Sequence, residues 1–249
     1  MNKNVIAFGT DSNYIPYAIQ LLKSLKHVGT SADIVCKCVD VSKNDVQDPI
    51  FKNIDIMFDN PNLSSKKKLM RDLGLALHYT YGSNIRNRQG IDSMRKALYS
   101  PRAAYTCHSR FQTITKLLNS GYNCVIYIDT DTIFNKNIDI LFDEINYDIR
   151  VVPTFERGKT YMFRNEGLLV INNTFKSRKF FSDVAKYIFY DDGYLDWDID
   201  TIALQELYTD DIKVGFLDDM FKDRTCSNKA YMWSGDGINK YKSTFEWNQ

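Results

Sequence analysis

Asp129 and Asp131 stand two residues apart in VIYIDTDTIF, directly after a run of apolar side chains. Two carboxylates held close together repel each other unless a proton or a cation joins them. Hard divalent ions such as Mg²⁺ and Mn²⁺ favour oxygen ligands. They are often held by one or two carboxylates plus the phosphates of a substrate. The pair therefore reads as a metal–phosphate anchor. The plainer reading is a polar turn whose acids cap the next segment. Context favours the anchor: CVIYID is apolar throughout, as a strand in the middle of a sheet is, and open α/β sheets bind ligands at the carboxyl ends of their strands. Alternation along the strand is expected to send both carboxylates to one side.

The elements that must position this pair are legible around it. NVIAFG (4–9) reads as a short buried strand ending in the polar turn TDSN. From Tyr14 to Lys26 the apolar residues Ile15, Ala18, Ile19, Leu22 and Leu25 recur at helical spacing. Strands are expected at 32–40 and 54–58, giving a strand–helix–strand order typical of parallel α/β sheets. Residues 60–100 contain PNLSSKKK and YGSNIRNRQG with little periodicity. They read as a basic insert, either a solvated face or a flap over an anionic ligand. Helical spacing returns over 102–118, with Gly121 as its stop. Further strands are expected at 148–155, 166–172 and 212–218, and helices at 175–190 and 199–208. No internal repeat is present.

Composition narrows the classes. The chain has 249 residues and a net charge of +1, so no broad basic field for nucleic acid is implied. No stretch approaches the ~20 apolar residues of a membrane span. The N-terminal apolar run is too short for a signal peptide. The five cysteines are odd in number and lack paired C-x-x-C spacing. They read as core thiols of a reducing compartment, and a cytoplasmic protein is expected. Cys36 and Cys38 are expected on one face of a strand. The three histidines, His27, His78 and His108, have no metal-type spacing and read as structural or surface residues.

Two families are resembled at the acidic pair. Haloacid-dehalogenase-type phosphohydrolases carry D-x-D-x-T after an apolar strand, as Asp129 to Thr132 do. Their late G-D-G-x-N-D loop is similar to Gly235-Asp236-Gly237-Ile238-Asn239, with Lys240 at the position of the last acid. That resemblance would make Asp129 a covalent nucleophile. The second resemblance runs along most of the chain. AFGTDSNYIPYAIQLLKSL looks like the first strand, base-binding turn and first helix of GT-A glycosyltransferases. Within these it is closest to the glycogenin and galactosyltransferase-like family 8 group, with Asp11, Asn13 and Tyr14 on the D-x-N-Y element. SRFQTITKLLNSGYNCVIYIDTDTIF resembles the helix that leads into their D-x-D strand. Asn165-Glu166-Gly167 and LLVIN resemble their N-x-G strand. Asp198-Ile199-Asp200 resembles their D-Q-D helix start.

This second resemblance implies a mixed α/β sheet of the GT-A kind in one domain spanning 1–249. It implies transfer of a sugar from a nucleotide-diphosphate sugar, UDP-sugar favoured, to the hydroxyl of a glycan, protein or small molecule. Mn²⁺ or Mg²⁺ is the implied cofactor. Asp129 and Asp131 would hold the metal, with Asp236 as third ligand, because Met232 falls where the family often has a histidine and a thioether suits a hard ion poorly. Thr10, Asp11, Tyr14, Arg110, Thr130, Gly167 and Lys240 would join the two acids in binding the nucleotide-sugar. Tyr14 would stack on the base, Asp11 read its edge, and Arg110 offer a planar fork to phosphate. Asn165, Asp198 and Asp200 would face the reacting sugar and acceptor. Asp198 and Asp200 also suit a helix N-terminus for its dipole alone. Ile199 replaces the family's Gln between these acids, which leaves the stereochemical course open. A GT-A-like chain retained only for binding is the remaining alternative.

Overall fold

The computed structural model describes residues 3–61, 63, 101–156, 159–163, 167–190, 199–223 and 227–234. All but residues 60, 61 and 63 of the expected basic insert fall outside that set, as do Asn165, Asp198, Asp236 and Lys240.

Among the described residues a seven-stranded sheet forms the centre. The chain enters it through β1 (Asn4–Asp11), crosses by helix α1 (Ile15–Val28) and returns as β2 (Asp33–Val39) and then β3 (Asp55–Asp59). Helices α2 (Pro101–His108) and α3 (Arg110–Asn119) lead into β4 (Cys124–Ile128). A short strand β5 (Ile133–Phe134) follows, then β6 (Ile149–Val151), the hairpin β7 (Thr154–Glu156) and β8 (Lys159–Tyr161), and β9 (Leu168–Asn172). Helices α4 (Phe175–Phe189) and α5 (Ile199–Glu206), strand β10 (Val214–Phe216) and strand β11 (Met232–Trp233) complete the order. Across the sheet the strands run β10-β6-β9-β4-β1-β2-β3. β1 is parallel to both β2 and β4, while β9 is antiparallel to both β4 and β6. The sheet is thus mixed, as expected for the GT-A architecture.

Alternation along the central strands builds two apolar layers. Val5 and Ala7 of β1 and Val125 and Tyr127 of β4 face α2 to α5, in a cluster holding Phe111, Ile114, Phe181 and Val184. Ile6, Phe8, Ile126 and Ile128 face the other way, with Leu21, Leu22 and Leu25 of α1. Every residue of β4 is buried. That is the reason its sequence reads as an unbroken apolar run rather than an alternating one.

Two expectations are refined and two hold. The helix expected over 102–118 is two helices, because Ser109 interrupts it between α2 and α3. Gly121 does stop the second, with φ +88°, a left-handed conformation open to glycine. The strand expected at 148–155 is two, β6 and β7, interrupted at Val152 and Pro153. Cys36 and Cys38 share a face of β2, with their Sγ atoms 3.6 Å apart.

Candidate active site

β1 and β4 pair in parallel with Phe8 opposite Ile128, so the residues after each point leave the sheet at one edge. β9 runs the other way, with Leu168 opposite Ile128. An antiparallel neighbour brings its N-terminal end to the carboxyl edge of its partners. Gly167 therefore arrives beside Asp129, whose backbone N–H donates to the Gly167 carbonyl at 3.1 Å.

The acidic pair does not continue the strand. The Thr132 N–H donates to the Asp129 carbonyl at 3.1 Å and closes a turn over Asp129 to Thr132. Thr130, buried inside that turn, donates its hydroxyl to the Gly9 carbonyl and pins the turn to β1. The two carboxylates are thus positioned by a turn, where strand alternation was expected to place them. Both nonetheless act on one neighbour. The Tyr14 hydroxyl is pushed above its ordinary range, first by burial, then by the charges of Asp131, Tyr17, Asp11 and Asp129. Tyr14 caps α1, is 46% exposed, and lies 5.1 Å from the Tyr17 ring, between centroids.

Asp11 ends β1. Its Oδ1 accepts the Asn13 N–H at 2.8 Å and its carbonyl accepts the Tyr14 N–H at 2.9 Å. These bonds fold DSNY into a turn of the kind a short acidic side chain favours. Its Oδ2 lies 3.6 Å from Nε of Arg102. The buried carboxyl group thus shapes this turn from within. Arg102 was not singled out from sequence. Its signal is a lone basic residue at the start of a helix, and only the fold brings it to Asp11. Thr10 is fully buried under the same turn, and its hydroxyl donates to the Asp11 carbonyl at 3.3 Å.

Arg110 opens α3 and is 6% exposed. Its Nε donates to the Cys107 carbonyl at 2.8 Å and its Nη2 lies 2.6 Å from Cys107 Sγ. Nη1 stands 3.5 Å from Asp129 Oδ1, and Nη2 stands 3.9 Å from Asp200 Oδ2. The fork expected to meet phosphate is turned toward protein carboxylates. Asp200, in the first turn of α5, is buried, and its Oδ1 accepts the Thr201 N–H at 2.7 Å. Cys107 completes the surround. Burial pushes its thiol up to about 12, opposed by the nearby guanidinium. It therefore stands as a neutral thiol at ordinary pH.

Met232 lies away from this edge. It is fully buried in the apolar layer under α1 and pairs with Phe134 across β5 and β11. Two residues on, Ser234 comes to the site. A Cβ added to Gly167 would stand 3.0 Å from Asp129 Oδ2 and 3.2 Å from Ser234 Oγ. Sequence reading passed over Ser234 because a lone serine carries no spacing signal.

The family model for nucleotide-diphospho-sugar transferases matches residues 66–241. Three solved structures share the fold. The galactosyltransferase LgtC, in complex with donor and acceptor sugar analogues, is 18% identical with a TM-score of 0.50, over 87% of this chain and 74% of that one. The glycosyltransferase GlyE of Streptococcus pneumoniae TIGR4 is 16% identical with a TM-score of 0.53, over 88% of this chain and 46% of that one. A glycosyltransferase involved in glycosylation of the major capsid of PBCV-1 is 8% identical with a TM-score of 0.52, over 96% and 98%. At such identities the likeness is one of fold. The search of curated proteins found no match.

Proposed function

Because the chain belongs to the nucleotide-diphospho-sugar transferase family, we propose that it moves a sugar from a UDP-sugar to an acceptor hydroxyl, with Mn²⁺ or Mg²⁺ at Asp129 and Asp131. The observation that supports the reading is geometric: β1 and β4 are parallel neighbours, so the turn of Asp129 and Asp131 and the turn of the exposed Tyr14 follow adjacent strand ends, and both acids act on the Tyr14 hydroxyl. Tyr14 stacks on the base, since an exposed ring offers a flat apolar face to a flat ligand. Asp11 and Thr10 hold the turn that presents it.

The donor set fits a hard divalent ion. Asp129 has a side chain 38% exposed, and Arg110 stands 3.5 Å from its Oδ1. Carboxylate oxygens of this kind are what Mg²⁺ and Mn²⁺ accept. A bound ion would offset the charge of the diphosphate and polarise it as the leaving group. Arg110 orients Asp129 and Asp200 against each other, so that the metal-side acid and the acid of α5 keep a fixed relation. Asp200, with Asn165 and Asp198, is assigned to the reacting sugar and acceptor, and Lys240 and Gly167 to the donor. Asp236 and the single-domain extent of 1–249 belong to the same reading. The phosphohydrolase alternative is not pursued, because the family and the fold are those of transferases. Among the described residues no helix is long and apolar enough to cross a membrane.

The test is a thermal-shift panel of UDP, GDP, CDP and ADP, each with and without Mn²⁺. A ligand at ~100 times its dissociation constant stabilises the native state by about 2.7 kcal/mol. A shift with UDP that requires Mn²⁺ is expected. A metal-independent shift with UDP, or none with any diphosphate, counts against the proposal.

A further inference from the structure

We infer that Ser234 supplies a neutral hydroxyl ligand to the metal beside Asp129, Asp131 and Asp236, keeping an oxygen-only protein set that favours Mg²⁺ and Mn²⁺ over softer ions. The inference rests on the metal site proposed above and concerns a further ligand to it and what that ligand selects.

The backbone delivers Ser234 to the acids by a short route. β5 begins right after the Asp129–Thr132 turn, and β11 pairs with it antiparallel, Trp233 opposite Ile133. The chain leaving β11 therefore emerges beside the turn. Ser234 is 5% exposed, and its N–H donates to the Asp223 carbonyl at 2.9 Å, which fixes the start of the side chain. Ser234 Oγ and Asp129 Oδ2 both crowd the point where Gly167 lacks a side chain. The Ser234 hydroxyl is a lone-pair donor on the same side of Gly167 as the carboxylate that the metal would use.

Ligand chemistry turns this placement into selectivity. Among the described residues, the one grouping of three histidine, cysteine or acidic side chains with metal-ligand spacing is Cys107, His108 and Asp200. Arg110 occupies that grouping, with Nη2 2.6 Å from the sulfur and 3.9 Å from the Asp200 oxygen. No imidazole or thiol among the described residues therefore joins Asp129 and Asp131. Carboxylate, hydroxyl and water suit Mg²⁺ and Mn²⁺, whereas imidazole raises affinity for Co²⁺ and Zn²⁺. Met232 is drawn into the core, and Ser234, the described residue that follows β11, reaches Gly167 at the site.

The experiment is Mn²⁺ binding to the full chain with saturating UDP, followed by the electron paramagnetic resonance signal of free Mn²⁺, with Mg²⁺ and Co²⁺ as competitors. Wild type is expected to bind Mn²⁺ and to let Mg²⁺ compete effectively. Ser234→Ala should weaken Mn²⁺ by about tenfold, the lower end of what losing a supporting group costs a metal site. Ser234→Thr, which keeps the hydroxyl, should bind as wild type does and controls for a folding defect. Ser234→His should shift the preference toward Co²⁺. Unchanged Mn²⁺ affinity in Ser234→Ala, or an unchanged Mg²⁺-to-Co²⁺ ratio in Ser234→His, overturns the role of Ser234 while leaving the metal site standing. Absence of Mn²⁺ uptake by wild type in the presence of UDP overturns the metal site, and this inference with it.

Discussion

The backbone N–H of Asp129 donates to the carbonyl of Gly167 at 3.1 Å, and the Asp129 carboxylate lies over the face where Gly167 has no side chain. The close approach needs the glycine for space, since its backbone is not in the left-handed region. An added methyl would meet Asp129 Oδ2 at 3.0 Å and Ser234 Oγ at 3.2 Å, both shorter than ordinary contact. Gly167→Ala should therefore displace the acid. Misplacement of a catalytic group by about 1 Å can cost roughly 10²-fold in rate. Transfer activity should fall by that order while the urea midpoint moves little. Equal damage to activity and midpoint would show that the glycine serves the fold instead.

Asp131 lies half-buried in the turn after β4 and takes no part in either apolar layer. Asp131→Asn keeps the size of the side chain and removes the charge that a divalent ion requires. Loss of activity by about 10²-fold or more is expected, with an unchanged melting temperature in the absence of ligand. The Mn²⁺-dependent part of the UDP thermal shift should vanish with it. Full activity in this variant at saturating Mn²⁺ would remove Asp131 from the metal site.

Arg110 is predicted to matter for stability as well as for the site. Its side chain is 8% exposed and faces Asp200, which is 9% exposed, and Asp129, which is 38% exposed. Removing one partner of a buried ion pair typically costs 3–5 kcal/mol, because the other charge is left uncompensated. Water screening at Asp129 lowers that expectation. Arg110→Leu should lose about 3 kcal/mol in urea unfolding. Arg110→Lys should lose less, since it keeps the charge but not the fork that spans both acids.

The buried thiols set an alkaline limit. Burial pushes Cys124 from its ordinary 9.0 to about 12, and Cys107 likewise. Both folded values are raised, so the native state keeps protons that the unfolded chain releases. Stability is then unaffected by these groups below pH 9 and falls as the pH rises from 9 toward 12. Each thiol contributes a slope of about 1 kcal/mol per pH unit in that window. Urea unfolding at pH 8 and pH 10 measures it, and Cys124→Ala should shallow the decline. An equal decline in that variant would assign the effect to other groups.

Local rules made much of this protein readable in advance. CVIYI announced a buried central strand because every one of its side chains is apolar, and each is buried. The helical spacing of Ile15, Ala18, Ile19, Leu22 and Leu25 announced α1 because those residues line one face, and all but the partly buried Ile19 are buried. Asp129 and Asp131 declared themselves because two carboxylates so close have few uses, and the turn at Asp11 to Tyr14 followed from its residue types. These signals act within a few residues, where periodicity and charge repulsion are expressed.

The tertiary structure decided what depends on partners far apart in the chain. Arg110 reads from sequence as a free fork, and the fold turns it to Asp200, ninety positions away, and to Asp129. Met232 reads from sequence as standing where the resembled family has a histidine ligand, and strand pairing with Phe134 draws it into the core. Ser234 and Arg102 carry no local signal, yet antiparallel pairing and helix placement bring them to Asp129 and Asp11. Charge compensation and packing select neighbours in space. A single sequence therefore names the acids of this site, and only the assembled sheet edge chooses what stands against them.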